Sequence, residues 1–308
     1  MLFELEEKIV EVVEKVVPSV VSVSTTRLAR TQLSRVIPVK GQGSGVILSD
    51  TGYIVTNAHV IENAQDVDVT LTDGRTFKAV VVGESKVKDL AILKIDAEGL
   101  SSIEMGDSDN LKVGQFAVAV GNPLGLGSTV TFGMVSAIDR TIQGENTFIE
   151  ELIQTSAQIN PGNSGGALVD THGRLIGVPT AMVPWSQGIG FAIAVNTLKV
   201  VYDELIETGT VQTPWMGIVG VTLNKGIANH YNLQIEKGAL LVNVLEGPSR
   251  SMGLEPGDVI VAIDDEEVTG MEDLRKRVMR KKVGTKLRVK FRRGSDTFEG
   301  YVELVAAP

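Results

Sequence analysis

Cysteine is absent from this chain, and histidine and tryptophan nearly so: its 308 residues hold no Cys, 3 His and 2 Trp. The first absence excludes disulfides, thiolate nucleophiles and cysteine-ligated metals, and leaves the redox compartment undetermined. The three histidines are scattered and show no His-Glu-x-x-His spacing, so a zinc hydrolase of that type is excluded and neither metal nor other cofactor is expected. Long apolar runs are also missing, and no segment reaches bilayer-spanning length. The opening, Met1-Leu2-Phe3-Glu4-Leu5-Glu6-Glu7, is acidic where a secretory signal is basic. The chain as written is therefore expected to be soluble: cytoplasmic, or in the cell envelope if a leader has been removed. There is no basic excess either. A net charge of −9 argues against nucleic acid as the main partner, because phosphate neutralisation dominates such binding.

What is present is a hydrophobic fraction of 43% in a chain long enough for two domains, each with its own core. Leu2, Leu5, Ile9, Val12 and Val16 recur at spacings of three and four, predicting a helix that stops before Pro18. Its apolar stripe packs on its own domain or, as a second possibility, on another subunit. From Ser19 to about Ala194 short β-branched runs alternate with turn residues, as barrels and sandwiches require. Val20–Val23, Gly45–Leu48, Tyr53–Val55, Val67–Leu71, Ala91–Ile95 and Phe116–Val120 are such runs. Asn196 is the expected N-cap of a following helix and Gly209 its stop. Residues 209–214 read as a linker to a second domain. There the stretch Arg275 to Arg293 holds eleven Lys/Arg and no acid, read as a solvated basic face, with a nucleic-acid patch as a minor alternative. Thr269 and Glu272 read as the capping box of a helix running to about Lys281.

The chemistry centres on Gly162-Asn163-Ser164-Gly165-Gly166. A serine between glycines on a tight turn exposes its hydroxyl, and a glycine at 162 can adopt φ > 0, so that its N–H and that of Ser164 converge as an oxyanion hole. The same glycines also serve simple chain reversal. Ser164 needs a base, and the base should be a histidine. His172 sits in a hairpin turn and His230 lies beyond the linker, whereas His59 follows the strand Tyr53–Val55 and is held at the edge of a rigid core. Asp89, at the start of an apolar strand, is the best-placed carboxylate to orient the imidazole, with an ion pair to Lys86 or Lys88 as its structural alternative. The order His, Asp, Ser is that of the chymotrypsin-type triad.

Five motifs then carry a family resemblance: Thr56-Asn57-Ala58-His59-Val60, Asp89-Leu90-Ala91-Ile92-Leu93-Lys94, Gly121-Asn122-Pro123-Leu124-Gly125, Gly162-Asn163-Ser164-Gly165-Gly166 and Gly188-Ile189-Gly190-Phe191-Ala192-Ile193. In this order they resemble the HtrA (DegP-like) serine proteases of trypsin/chymotrypsin fold, over about Val10 to the C-terminus. The resemblance implies a mainly β fold: an N-terminal helix (1–18), a double β-barrel protease domain (19–208), the linker (209–214) and one small α+β PDZ domain (215–308). It implies an ATP-independent serine endopeptidase of protein quality control, acting on unfolded polypeptides and assembled as a trimer. His59, Asp89 and Ser164 would be catalytic, with Gly162, Asn163 and Ser164 forming the oxyanion hole. Trp215-Met216-Gly217-Ile218 resembles the PDZ loop that binds a peptide's C-terminal carboxylate.

Departures from the family pattern are Ser156, where an Asp is usual, and Pro179, where an Asn is common. The segment from Arg27 to Lys40 is short, so a cage-like assembly through it is not expected. The pocket for the residue before the scissile bond is expected from Gln158, Ile159, Ala181, Met182 and Ile189, without an acid, which predicts cleavage after Val, Ala or Leu. A non-catalytic scaffold that holds unfolded chains is the rival reading. A nucleotide site at Gly41-Gln42-Gly43-Ser44-Gly45 is discounted, because Val46-Ile47-Leu48 continues as a strand where a phosphate cradle needs a helix.

Overall fold

The computed structural model describes residues 2–30, 36–123, 127–143, 148–160, 162–182, 188–231, 233 and 235–307. They form two compact units, Met1–Val211 and Gln212–Pro308. Leu124, Gly125 and Pro161 lie outside the described residues.

In the first unit the heptad-like stripe gives helix α1 (Leu2–Val16), whose Val12 and Val16 are buried in the unit's own core with Ile9 packed beside them. Pro18, which cannot continue an α-helix, falls in a 3₁₀ turn over Val17–Ser19. Seven strands follow: β1 (Val20–Arg30), β2 (Val36–Ile47), β3 (Tyr53–Thr56), β4 (Asp66–Thr70), β5 (Thr76–Lys78), β6 (Val80–Ser85) and β7 (Leu90–Lys94). They make one antiparallel sheet in the order β5-β4-β1-β2-β3-β7-β6. β1 and β2 pair from Val20↔Val46 to Arg30↔Val36, so residues 27–30 lie antiparallel to residues 36–39. Between β3 and β4 lies a single helical turn, α2 (Ala58–Ile61).

A second set, β8 (Phe116–Gly121), β9 (Thr129–Gln143), β10 (Phe148–Thr155), β11 (Ala167–Val169), β12 (Leu175–Met182) and β13 (Gly190–Ala194), closes into a barrel in the order β10-β13-β12-β11-β8-β9. Side-chain alternation decides how the two sheets join. Leu90 and Ile92 of β7 enter a cluster with Val46, Val55, Val118, Val120, Leu152 and Val178 that draws on both sheets. Ala91, Leu93 and Ile95 face the opposite way, into the first sheet's own interior with Val21, Val23, Ile47 and Ile54. With both faces buried, such strands read as unbroken apolar runs. Helix α3 (Val195–Thr208) adds Leu198, Val201 and Leu205 to the shared cluster. It stops at Gly209, whose φ of +79° lets its N–H reach the Leu205 carbonyl at 3.1 Å.

The second unit contains β14 (Pro214–Trp215), β15 (Ile218–Thr222), α4 (Lys225–His230), β16 (Ala239–Val244), α5 (Pro248–Met252), β17 (Val259–Ile263), β18 (Glu266–Glu267), α6 (Met271–Met279), β19 (Lys286–Arg293), β20 (Asp296–Glu303) and β21 (Val305–Ala306). Its main sheet runs β15-β16-β17-β19-β20, which leaves β15 at an edge beside α6.

Two helix starts differ from the sequence reading. The N-cap of α3 is Ala194; the Asn196 side chain instead donates to Asp107 Oδ1 at 2.7 Å and its N–H to Ser108 Oγ at 3.1 Å, because the neighbouring loop supplies acceptors outside the helix. Helix α6 starts after Gly270 and ends at Met279, and Thr269 is held by Asp273 Oδ2 (2.9 Å to its N–H, 3.2 Å to its Oγ1) rather than by Glu272. Part of the basic stretch is answered by acids from the same unit: Arg277 meets Glu266 and Asp273, Lys281 meets Asp264, Arg288 meets Asp265 and Arg293 meets Asp258.

Because Leu198 is completely buried in the cluster joining the two sheets, Leu198→Ala is expected to lower unfolding stability by about 2–5 kcal/mol. Urea unfolding followed by tryptophan-independent far-UV circular dichroism measures it, and a loss below about 1 kcal/mol contradicts that placement.

Candidate active site

His59 comes from the first sheet, Ser164 from the second, and they meet where the sheets adjoin. β3 ends at Thr56, the chain turns at Asn57, and α2 carries His59. Asn57 does not cap this turn with its side chain; Nδ2 donates to the Asp89 carbonyl at 3.0 Å. Asp89 precedes β7 at a φ of +51°, a left-handed conformation that Asp tolerates better than bulkier residues. This turn aims its carboxylate at His59. The His59 backbone N–H donates to Oδ1 at 3.0 Å, and ring Nδ1 lies 3.0 Å from Oδ1 and 2.8 Å from Oδ2. From β12, the Thr180 hydroxyl also donates to Oδ2.

An ionised carboxylate only accepts, so the proton of a neutral imidazole sits on Nδ1 and leaves the Nε2 lone pair free. The His59 side chain keeps 47% of its surface exposed while that of Asp89 keeps 10%. Partial burial of the ring opposes its protonation, but the hydrogen bond and charge of Asp89, with the charge of Glu62, outweigh it and hold the pKa above the ordinary 6.5.

Ser164 stands in the turn between β10 and β11. Gly162 has φ +107° and Gly165 φ +80°. A Cβ at Gly162 would lie 2.1 Å from Pro123 Cβ, and one at Gly165 2.3 Å from the Ser44 carbonyl oxygen, so both positions need glycine for space as well as for conformation. The turn is tied down by Asn163 N–H to Asn160 O (3.0 Å), Gly165 N–H to Pro179 O (2.9 Å), Gly166 N–H to Asn163 O (2.9 Å) and Ser44 N–H to Ser164 O (2.9 Å). The Asn163 side chain donates to Gln158 O at 3.3 Å. Ser164 Oγ points at the Thr180 carbonyl, 3.4 Å away.

His59, Gly162, Ser164 and Thr180 line one cleft of about 340 Å³ with Thr25, Arg27, Gln42, Glu62, Ile159 and others. Of the five expected pocket residues Ile159 lines this cleft. Gln158, in the irregular stretch after β10, is exposed, whereas its neighbours Ala157 and Ile159 are buried. Ile189 packs half-buried against the shared core, and the side chains of Ala181 and Met182 lie outside what is described. Glu62, carried just past α2, lines the cleft beside His59. Of the departures, Ser156 Oγ takes the Met134 N–H at 3.0 Å, and Pro179 supplies the carbonyl that holds Gly165. Among the described residues no cluster of three or more His, Asp or Glu gathers as a metal site.

In the second unit Trp215 pairs through its backbone with Val305, and its ring covers Gly217 and Gly247, where an added Cβ would lie 3.1 and 2.6 Å from ring atoms. Met216 is buried and its carbonyl takes the Ser249 N–H at 3.1 Å; Gly217, at φ +80°, accepts from Leu245 at 2.8 Å. Ile218 opens the edge strand β15.

Comparison with known proteins accords with this geometry. A trypsin-like peptidase domain matches residues 43–178 and a PDZ domain residues 214–304. A solved structure of the HtrA-type protease AlgW with a decapeptide is 36% identical, covers 97% of this chain and 98% of its own, and superposes with a TM-score of 0.83. The chain belongs to the HtrA family. A serine endoprotease from Yersinia pestis is 33% identical with a TM-score of 0.70, covering 97% of each chain. The periplasmic pH-dependent serine endoprotease DegQ of Escherichia coli is 41% identical over 87% of this chain and 60% of its own length, and the periplasmic serine endoprotease DegP of the same organism 43% over 80% and 53%. This chain thus spans roughly half to three fifths of those curated HtrA relatives.

Thr180, Asn57 and Glu62 are the site residues that sequence reasoning missed. Thr180 had a signal, a lone hydroxyl in the apolar run Ile176–Met182; Asn57 and Glu62 had none beyond flanking His59.

The raised His59 pKa fixes a sign. Protonation is favoured in the folded state, so this stabilising contribution is fully present below the unfolded value near 6.5 and is lost as pH rises through the folded value. Histidine NMR titration is expected to place His59 above 6.5, with Glu62→Gln lowering it and Asp89→Asn lowering it further. A His59 value unchanged in Asp89→Asn contradicts the pairing.

Proposed function

We propose that this chain is an ATP-independent serine endopeptidase that cleaves unfolded or misfolded polypeptides in the cell envelope, where its named relatives are periplasmic. One observation carries the reading: an imidazole oriented by a buried carboxylate shares a cleft with a serine on a glycine turn. Ser164 Oγ attacks the substrate carbonyl carbon, and its proton passes to His59 Nε2. The N–H groups of Gly162 and Ser164 hold the oxyanion, each contributing about 3 kcal/mol to barrier lowering. His59 then gives the proton to the leaving amine, which departs as the C–N bond breaks and leaves an acyl-enzyme. Water, deprotonated by the same imidazole, hydrolyses that ester and restores Ser164. Asp89 keeps Nδ1 protonated and stabilises the imidazolium, and Thr180 and Asn57 hold Asp89. General-base action of His59 supplies roughly 10²–10⁴ in rate.

The Ser164 hydroxyl faces the Thr180 carbonyl rather than the imidazole. A rotation about its Cα–Cβ bond precedes attack, as catalytic hydrogen bonds commonly tighten only with substrate bound. The same observation is what favours the rival, a chaperone-like holder of unfolded chains that does not cut. Ile159 offers an aliphatic wall beside Ser164, in keeping with cleavage after Val, Ala or Leu. In the second unit an extended peptide adds to the free edge of β15 opposite α6, its C-terminal carboxylate facing the amides of Met216 and Gly217. The family reading extends to a trimer, which light scattering of the purified chain decides.

Incubation of unfolded casein with the protein and with Ser164→Ala decides between cutting and holding. Complete loss of cleavage in the variant is expected, and wild-type cleavage by it would falsify the assignment of the nucleophile. Sequencing of the fragments is expected to show Val, Ala or Leu before the cut; predominant cutting after Lys or Arg refutes the pocket.

A further inference from the structure

The side chain of Ser44 takes no part in the steps above, yet it is fully buried where three segments meet. It lies on β2 between Gly43 and Gly45, in the glycine run that first invited comparison with a phosphate cradle. Its Oγ donates to the Gly162 carbonyl at 2.5 Å and accepts the Asn122 N–H at 2.8 Å, while its own N–H donates to the Ser164 carbonyl at 2.9 Å. A serine hydroxyl has one hydrogen, and with an amide N–H already arriving at the oxygen that hydrogen is committed to Gly162.

The Gly162 carbonyl and the Asn163 N–H are two ends of one planar peptide. The second end is held by the Asn160 carbonyl at 3.0 Å. This plane is therefore clamped on both sides, and it lies between the two peptides that carry the Gly162 and Ser164 N–H donors. A third wall completes the clamp. Pro123 lies where a Cβ of Gly162 would be, and a Cβ at Gly121 would come within 2.7 Å of Asn163 Oδ1 and 3.1 Å of Ser44 Oγ. The Gly121-Asn122-Pro123 segment thus acquires a physical role as the backing of the serine turn.

We propose that Ser44 is a positioning residue for the oxyanion loop: its hydroxyl fixes the Gly162–Asn163 peptide so that the amides of Gly162 and Ser164 point at one place. The inference rests on the reading of Ser164 as nucleophile. Removal of the hydroxyl leaves the Gly162 carbonyl and the Asn122 N–H buried without this partner, next to a glycine whose backbone can rotate freely. The resulting misalignment weakens an interaction made only in the transition state, so kcat falls and KM does not rise.

The test is steady-state hydrolysis of a short chromogenic peptide by the full chain, its Ser44→Ala and Ser44→Thr variants and Ser164→Ala, with thermal unfolding to check folding and an organophosphate to report Ser164 reactivity. In folded Ser44→Ala, kcat is expected to fall roughly 10- to 100-fold, less than the loss of a hole donor itself. KM is expected to stay within about twofold and the labelling rate to fall in parallel, while Ser44→Thr, which keeps the hydroxyl, regains most of kcat. Folded Ser44→Ala with kcat within about twofold of the parent, or with a loss confined to KM, overturns the proposal. If Ser44→Ala does not fold, Ser44→Cys, with its weaker donor, is judged by the same criteria. Inactive Ser164→Ala beside fully active Ser44→Ala removes only the role of Ser44; active Ser164→Ala removes the nucleophile on which it rests.

Discussion

The site exists because two sheets share one buried apolar seam. Leu90 and Ile92 of the first sheet pack with Val118, Val120, Leu152 and Val178 of the second, and α3 seals the same cluster with Leu198, Val201 and Leu205. Close packing of such a seam fixes the sheets relative to each other to a fraction of a side chain. That precision is what a site divided between them requires: Asp89 sits at the head of β7 directly before Leu90, and Thr180 reaches it from β12. A looser seam would leave the imidazole and the serine turn each intact and badly aligned.

Polar ties are laid over this apolar joint. Thr180 to Asp89, Ser44 to Gly162 and to the Ser164 carbonyl, and Asn122 to Ser44 all cross from one sheet to the other. Each lies in a buried setting, where a satisfied hydrogen bond is strong and an unsatisfied group is costly. The seam supplies affinity between the sheets and the ties supply register. Two left-handed residues, Asp89 and Gly162, stand at the ends of these ties, and their conformations are held by the surroundings rather than by local preference.

Much of this was legible in the sequence. Period-two patterning and turn residues placed β3, β4, β7 and β8 to within a residue, but caught only the start of β1 and the end of β2, because their outer halves, Ser24–Arg30 and Val36–Ser44, are largely polar, glycine-bearing or charged and carry little apolar pattern. The glycines at 74, 173 and 209 marked turns and a helix stop for the conformational reason seen in their positive φ values. Helix starts were less legible. Asn196 and Thr269 carry capping chemistry, but Asp107 and Asp273 claimed their bonds, and a cap competes with every acceptor that the fold brings near. The pocket was less legible: Gln158 is adjacent to Ile159 in the chain, yet Gln158 is exposed and Ile159 buried.

The sequence alone determined the kinds of element, their order, the glycines on which the serine turn depends and the set of chemically able residues, since these follow from local conformational preference and side-chain chemistry. Tertiary structure decided the distances. That His59 Nδ1 lies 2.8 Å from Asp89, that Glu62 shares its cleft, and that Ser44 and Thr180 brace groups 118 and 91 residues away are outcomes of packing between strands remote in the chain. No local pattern encodes a contact between such partners; only the summed burial of both sheets brings them together.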